Sequence, residues 1–136
     1  KKVKSKKKSY KRIFIDRSDS LQNHSKLINN TEVIKYLKSK RYKCLRLTEL
    51  NLKDQISIFK NCNTIIAPHG AGLTNIAFCK KNTKVIEIIP QDNKNFLFKR
   101  ISKINKLKFK SIYLDKIYNN KNGDMHLNLD DLKKYL

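Results

Sequence analysis

The chain has 136 residues, enough for one domain with a real core and little more. With 39% hydrophobic and 32% charged residues it does not read as a disordered chain, and no apolar run approaches the roughly 20 residues that cross a bilayer. The formal charge of +21 would draw any polyanion, but 27 of the 32 basic residues are lysine, and lysine, asparagine and isoleucine together supply 58 positions. That bias looks like an A+T-rich coding sequence. Arginine, whose planar fork serves dedicated nucleic-acid readers, occurs five times. No signal-peptide pattern opens the chain. It starts at Lys1 and reads as a piece of something longer. Cys44, Cys62 and Cys79 are isolated, with no zinc spacing, and Cys44 and Cys62 read as core residues.

Residues 1–11 are mostly lysine and read as a basic tail or linker ahead of a domain at 12–136. Arg12 to Arg17 is a short strand that ends in charge, followed by a polar loop from Ser18 to Asn29 that contains His24. Asn30 is expected to cap a helix with Val33, Ile34 and Leu37 on one face. Tyr42 to Leu47 is strand-like. Asn51 is expected to cap the next helix, with Leu52, Ile56 and Phe59 inward and Gln55 and Ile58 alongside. Thr64 to Ala67 is a buried strand ended by Pro68, and a short helix from Leu73 to Phe78 follows a glycine turn. Val85 to Ile89 is a fourth strand, Asn95 to Lys106 a helix, Ser111 to Leu114 a fifth strand. Asn119 to Gly123 is a loop, and Asn128 caps a last helix from Asp130 to Leu136.

Apolar strands alternating with amphipathic helices predict an α/β fold: a Rossmann-like open parallel sheet of about five strands with helices on both faces. The first three strands should lie side by side, with Thr64 to Ala67 central. Such sheets bind ligands beyond the carboxyl ends of their strands, where strand order reverses. The segment Pro68-His69-Gly70-Ala71-Gly72-Leu73-Thr74-Asn75 occupies such a place. Its glycines and helix start suit either a diphosphate, approached by backbone N–H groups, or a plain tight turn. In the first reading a side chain at Gly72 would enter the cradle. His69 donates to a phosphoryl oxygen, acts as acid or base, or braces the loop by hydrogen bonds to backbone. Arg17 either neutralises a diphosphate or is a surface residue. Glu87, between Ile86 and Ile88, either accepts from sugar or ribose hydroxyls or pairs with a loop backbone or a buried cation. Asn75 donates to a ligand or back to the loop, and Asp16 reads as structural. There are no paired carboxylates, no Ser-His-Asp order and no metal-ligand spacing, Asp-x-Asp included.

The stretch from Ile66 to Asn75, then Phe78, then Val85-Ile86-Glu87-Ile88-Ile89-Pro90, resembles the C-terminal region of family 61 glycosyltransferases. Ile15-Asp16-Arg17, Asn30-x-Glu32, Gln55 with Phe59, and Asp124-Met125 fit the same pattern. The resemblance implies the donor-binding domain of a two-domain, inverting GT-B glycosyltransferase whose N-terminal domain is not in this sequence. It implies a nucleotide-diphosphate sugar as donor, with a UDP-sugar the leading expectation, a glycan or protein hydroxyl as acceptor, and no essential metal or other cofactor. His69 and Arg17 would serve the leaving diphosphate. Gly70, Ala71, Gly72, Leu73 and Asn75 would line it, and Glu87 would lie near the nucleotide sugar. The fragment alone is expected to be inactive. Its setting would be the secretory lumen in a eukaryote, and the cytoplasm or a membrane-associated one in a microbe. Two rivals stand beside this reading: an α/β domain for some other phosphorylated ligand, and a basic nucleic-acid-binding domain, which lacks any aromatic-basic interleaving here.

Overall fold

The computed structural model describes residues 8–18, 26–115 and 124–136. The expected loops around His24 and at 119–123, and the first seven residues of the lysine tail, lie outside them. Five strands are seen: β1 (Arg12–Ile15), β2 (Lys43–Leu45), β3 (Thr64–Pro68), β4 (Lys84–Pro90) and β5 (Lys108–Leu114). They alternate with helices α1 (Asn30–Ser39), α2 (Leu52–Asn61), α3 (Leu97–Ile104) and α4 (Leu129–Lys133). Every pairing is parallel, and the order across the sheet is β2-β1-β3-β4-β5. The first three strands are therefore neighbours and β3 is central, as expected.

Residue alternation builds two cores, one on each face of the sheet. Ile13, Ile15, Ile65, Ala67 and Val85 point to the face covered by α2, the segment Ala71–Phe78 and α3, where Ile58, Phe59, Leu73, Ile76 and Phe98 are buried. Phe14, Ile66, Ile86, Ile88 and Ile112 point to the other, beneath Val33 and Leu37 of α1, Leu132 of α4, and Leu27 and Met125. Leu27 and Met125 meet in an isolated parallel bridge that ties the segment before α1 to the one before α4. The packed body reaches back to Lys8, whose carbonyl accepts from Ser57 Oγ at 3.1 Å and whose ammonium lies 3.2 Å from Asp54.

Several local expectations change. The short helix after the glycine turn is a 3₁₀ helix, Ala71–Phe78, and a second 3₁₀ turn at Leu47–Glu49 shortens β2. Strand β5 begins three residues earlier than expected. Leu52 is largely exposed, because α2 turns Ile58 and Phe59 to the sheet instead. Asn51 and Asn128 do cap their helices, accepting from the N–H of Asp54 and Asp130, each at 2.8 Å. Asn30 does not cap. It is the first residue of α1, and its side chain donates to Asp16 Oδ1 at 2.9 Å. Arg41, Asn82 and Lys106 hold left-handed backbone, at φ 66°, 69° and 56°, where glycine is the usual occupant.

Asp16 is buried at the carboxyl end of β1 and accepts three further-reaching bonds: from Ser18 N at 2.9 Å, Asn30 Nδ2 at 2.9 Å and Arg46 Nε at 3.1 Å. Burial alone would raise its pKa, but the bonds from Ser18, Arg46 and Asn30 together outweigh it and hold the carboxyl below its ordinary value of 3.8. A lowered folded pKa means the stabilisation is complete above the unfolded value and is lost as pH falls through the folded one. Asp16→Asn should therefore cost about 1–3 kcal/mol in urea denaturation near neutrality. The gap between variant and wild type should narrow as the pH is taken below 3.8.

Candidate functional site

Strand order reverses between β1 and β3, so the connections leaving these neighbours diverge to opposite faces and open a crevice at their carboxyl ends. The pairing Phe14↔Ile66 brings Arg17, just beyond β1, beside His69 and Gly70, just beyond β3. Arg17 Nη1 donates to the His69 carbonyl. The backbone makes room for this. A Cβ at Gly70 would overlap the Arg17 guanidinium, so glycine is needed there for close approach, its φ of 163° being ordinary extended backbone.

His69 is fixed from a second side. Its Nδ1 lies 2.8 Å from Glu87 Oε2, its N–H donates to the Ile88 carbonyl at 2.7 Å, and its ring meets Phe98 edge-on with centroids 5.2 Å apart. Glu87 is 3% exposed. Strand register places it between Ala67 of β3 and Ser111 of β5, and Ser111 Oγ donates to its Oε1 at 3.2 Å. A buried carboxylate without partners is costly, and here each oxygen has one. A carboxylate at Glu87 would accept a proton carried on Nδ1, which selects the tautomer and leaves Nε2 as the second ring nitrogen. Glu87 thus stands behind His69, meeting the histidine side chain rather than loop backbone. Ser111 and Phe98 were not legible as site residues, because the only signal that gathers them is strand and helix register.

The glycine turn divides into two parts. Ala71 and Gly72 open the 3₁₀ helix, so their N–H groups have no intrahelical acceptor. The Leu73 N–H is taken by the Gly70 carbonyl at 3.0 Å and its side chain is buried, so Leu73 belongs to the core. Gly72 also looks inward: a Cβ there would meet Leu47 Cδ1 at 2.9 Å and Ile15 Cγ2 at 3.7 Å. A side chain at Gly72 would press on the core rather than enter a cradle, contrary to expectation. Asn75 Nδ2 donates to Gln55 Oε1 at 2.8 Å, and Gln55 Nε2 donates in turn to the carbonyls of Leu47 and Leu50 at 2.9 and 3.0 Å. Asn75 therefore ties the 3₁₀ helix to α2 and to the turn after β2. Asn105, beyond α3, holds its other end by donating to the Ala77 carbonyl at 2.8 Å.

The two glycines should fail differently. Gly70→Ala is expected to displace the Arg17 guanidinium, moving its ¹⁵Nε resonance while leaving the melting temperature nearly unchanged. Gly72→Ala is expected to leave that resonance in place and to cost about 1–3 kcal/mol by overpacking against Leu47.

Comparison with known proteins gives this site its setting. The model of the family described as Glycosyltransferase 61 matches residues 1–86, which include β1, β3 and the glycine turn. The chain is 34% identical over 68 residues to a beta-1,2-xylosyltransferase of Arabidopsis thaliana, covering 50% of this chain and 13% of that protein. It is 29% identical over 121 residues to beta-1,2-xylosyltransferase RCN11 of Oryza sativa subsp. japonica, covering 78% of this chain and 23% of that protein. The chain thus spans less than a quarter of the length of either relative.

Proposed function

The chain belongs to glycosyltransferase family 61, and from that premise we propose that its switch-point crevice holds the diphosphate of a nucleotide-sugar donor and stabilises it as leaving group. The observation that carries the reading is the double hold on the His69 segment: Arg17 on its carbonyl, Glu87 on its ring. A guanidinium and an imidazole are thereby kept at the adjoining ends of β1 and β3 by contacts that need no ligand. Negative charge grows on the diphosphate as the sugar bond breaks, and a donor fixed beforehand is worth more to that state than to the bound ground state. With Nδ1 committed to Glu87, His69 donates to a phosphate oxygen through Nε2 only as imidazolium. The Glu87 carboxylate balances that charge, and Arg17 supplies the net positive charge the diphosphate needs. The N–H groups of Ala71 and Gly72 add neutral donors at the mouth of the turn. Glu87 and Asn75 act at one remove, through His69 and Gln55.

The same carboxylate–imidazole pair favours a second reading, in which neutral His69 accepts the proton of the attacking hydroxyl at Nε2. In that case the glycan or protein acceptor also reaches this crevice. The relatives' names make UDP-xylose the first donor to assay. The acceptor, and transfer with inversion at the anomeric carbon, belong to the whole enzyme.

The tests use the full-length protein that carries this chain. His69→Ala should lower kcat about a hundredfold, the effect of removing one such donor, with the fold intact. His69→Gln should recover part of the loss if His69 is a donor, because an amide still donates, and none if it is a base. The pH profile carries the opposite signs: a required imidazolium loses activity as pH rises, a required base as pH falls. Wild-type kcat and KM in His69→Ala would reduce the histidine to a loop brace.

A further inference from the structure

The opposite end of the sheet holds a second concavity, of about 610 Å³, at the amino ends of the strands. Arg12, Thr64 and Lys84 open β1, β3 and β4 there, roughly 16 Å along the strands from Arg17 and His69. Five cationic side chains line it: Arg12, Lys40, Arg41, Lys84 and Lys133. No lining residue is acidic. A chain with 27 lysines makes basic patches by composition alone, but arginine occurs five times and two of the five are here.

Most of these cations are held by neutral groups. Arg12 Nη1 donates to the Lys40 carbonyl at 3.1 Å, and Lys84 Nζ donates to the Tyr135 carbonyl. The ammonium groups of Lys40 and Lys133 lie 5.8 and 5.4 Å from the centroid of one ring, Tyr36. Among the described residues, the carboxylate of Asp130 lies 3.6 Å from Lys133 and is 85% exposed. The carboxyl end of α1 explains part of the cluster, since its carbonyls attract Arg12 and Lys40. That attraction amounts to about half a charge against five and does not account for Lys84 or Lys133.

We propose that this concavity is an anion site, separate from the switch-point crevice, for a small ligand bearing two or more linked phosphoryl groups. Among the described residues the exposed Asp130 is a single carboxylate against five gathered cations, which repel one another, and a multivalent oxyanion seated among them lowers that repulsion. The volume lies in the range of small-molecule sites, and the paired arginines suit the fork geometry of phosphate.

The probe is inorganic tripolyphosphate, titrated calorimetrically into the chain at about 150 mM salt, where loose surface attraction is screened. Arg41→Asn with Lys133→Gln removes two of the cations and spares the backbone, since asparagine suits the φ of 66° at position 41. This pair should weaken binding roughly tenfold. Lys99→Gln with Lys103→Gln takes the same charge from α3 and should leave affinity unchanged. Equal weakening by the two double variants would make the affinity generic and overturn the proposal. So would loss of binding in Gly70→Ala, which would move the anion to the switch point. Binding to phosphatidylserine-containing vesicles without binding to tripolyphosphate would also overturn it, in favour of a membrane surface.

Discussion

The parallel pairing of β1 with β3 is the contact on which the site depends. Both strands are buried on both faces, so a slip of one residue would turn Phe14 or Ile66 from one core to the other. That penalty fixes the register, and the register places Arg17 within reach of the His69 carbonyl. Strands β4 and β5 then extend the same levels sideways. Glu87 and Ser111 fall in line with Ala67, and the ring of His69, two residues further along β3, settles over the carboxylate. The site is a product of sheet geometry, with the glycine turn adapted to it.

Much of the fold could be read from the chain because its signals are local. Five apolar runs alternate with amphipathic segments, and Asn51 and Asn128 cap helices whose first turns they immediately precede. What escaped reading depends on partners far away in sequence. Asn30 looks like a cap and instead serves Asp16, fourteen residues earlier and on another element. Glu87 has the same flanking residues whether it meets a sugar hydroxyl or a histidine, and only the β3–β4 register decides. Gly72 looks like part of a cradle until Leu47 is seen against it. The 3₁₀ helix Ala71–Phe78 is tied midway by Asn75 through Gln55 and near its end by Asn105, partners that lie far off in sequence.

The two ends of the sheet handle charge differently. At the carboxyl end, Asp16 is matched by Arg46 and Glu87 stands beside His69. At the amino end the cations are held by carbonyls and an aromatic ring. The basic surplus is therefore not spread evenly over the described surface. Its long-range field would speed the arrival of any anionic ligand, and local geometry decides at which end that ligand stays.

The left-handed positions bear on the history of the gene. All glycine codons begin with two guanines, so a coding sequence drifting toward A and T loses glycine readily. Three positions that glycine would suit are held by Arg41, Asn82 and Lys106, each bearing some backbone strain. Only three glycines remain in the chain, and two of them are Gly70 and Gly72, where an added methyl group would strike Arg17 or Leu47. In this chain residues other than glycine stand where the strain is tolerable, and glycine stands where the side chains of Arg17 and Leu47 need the space.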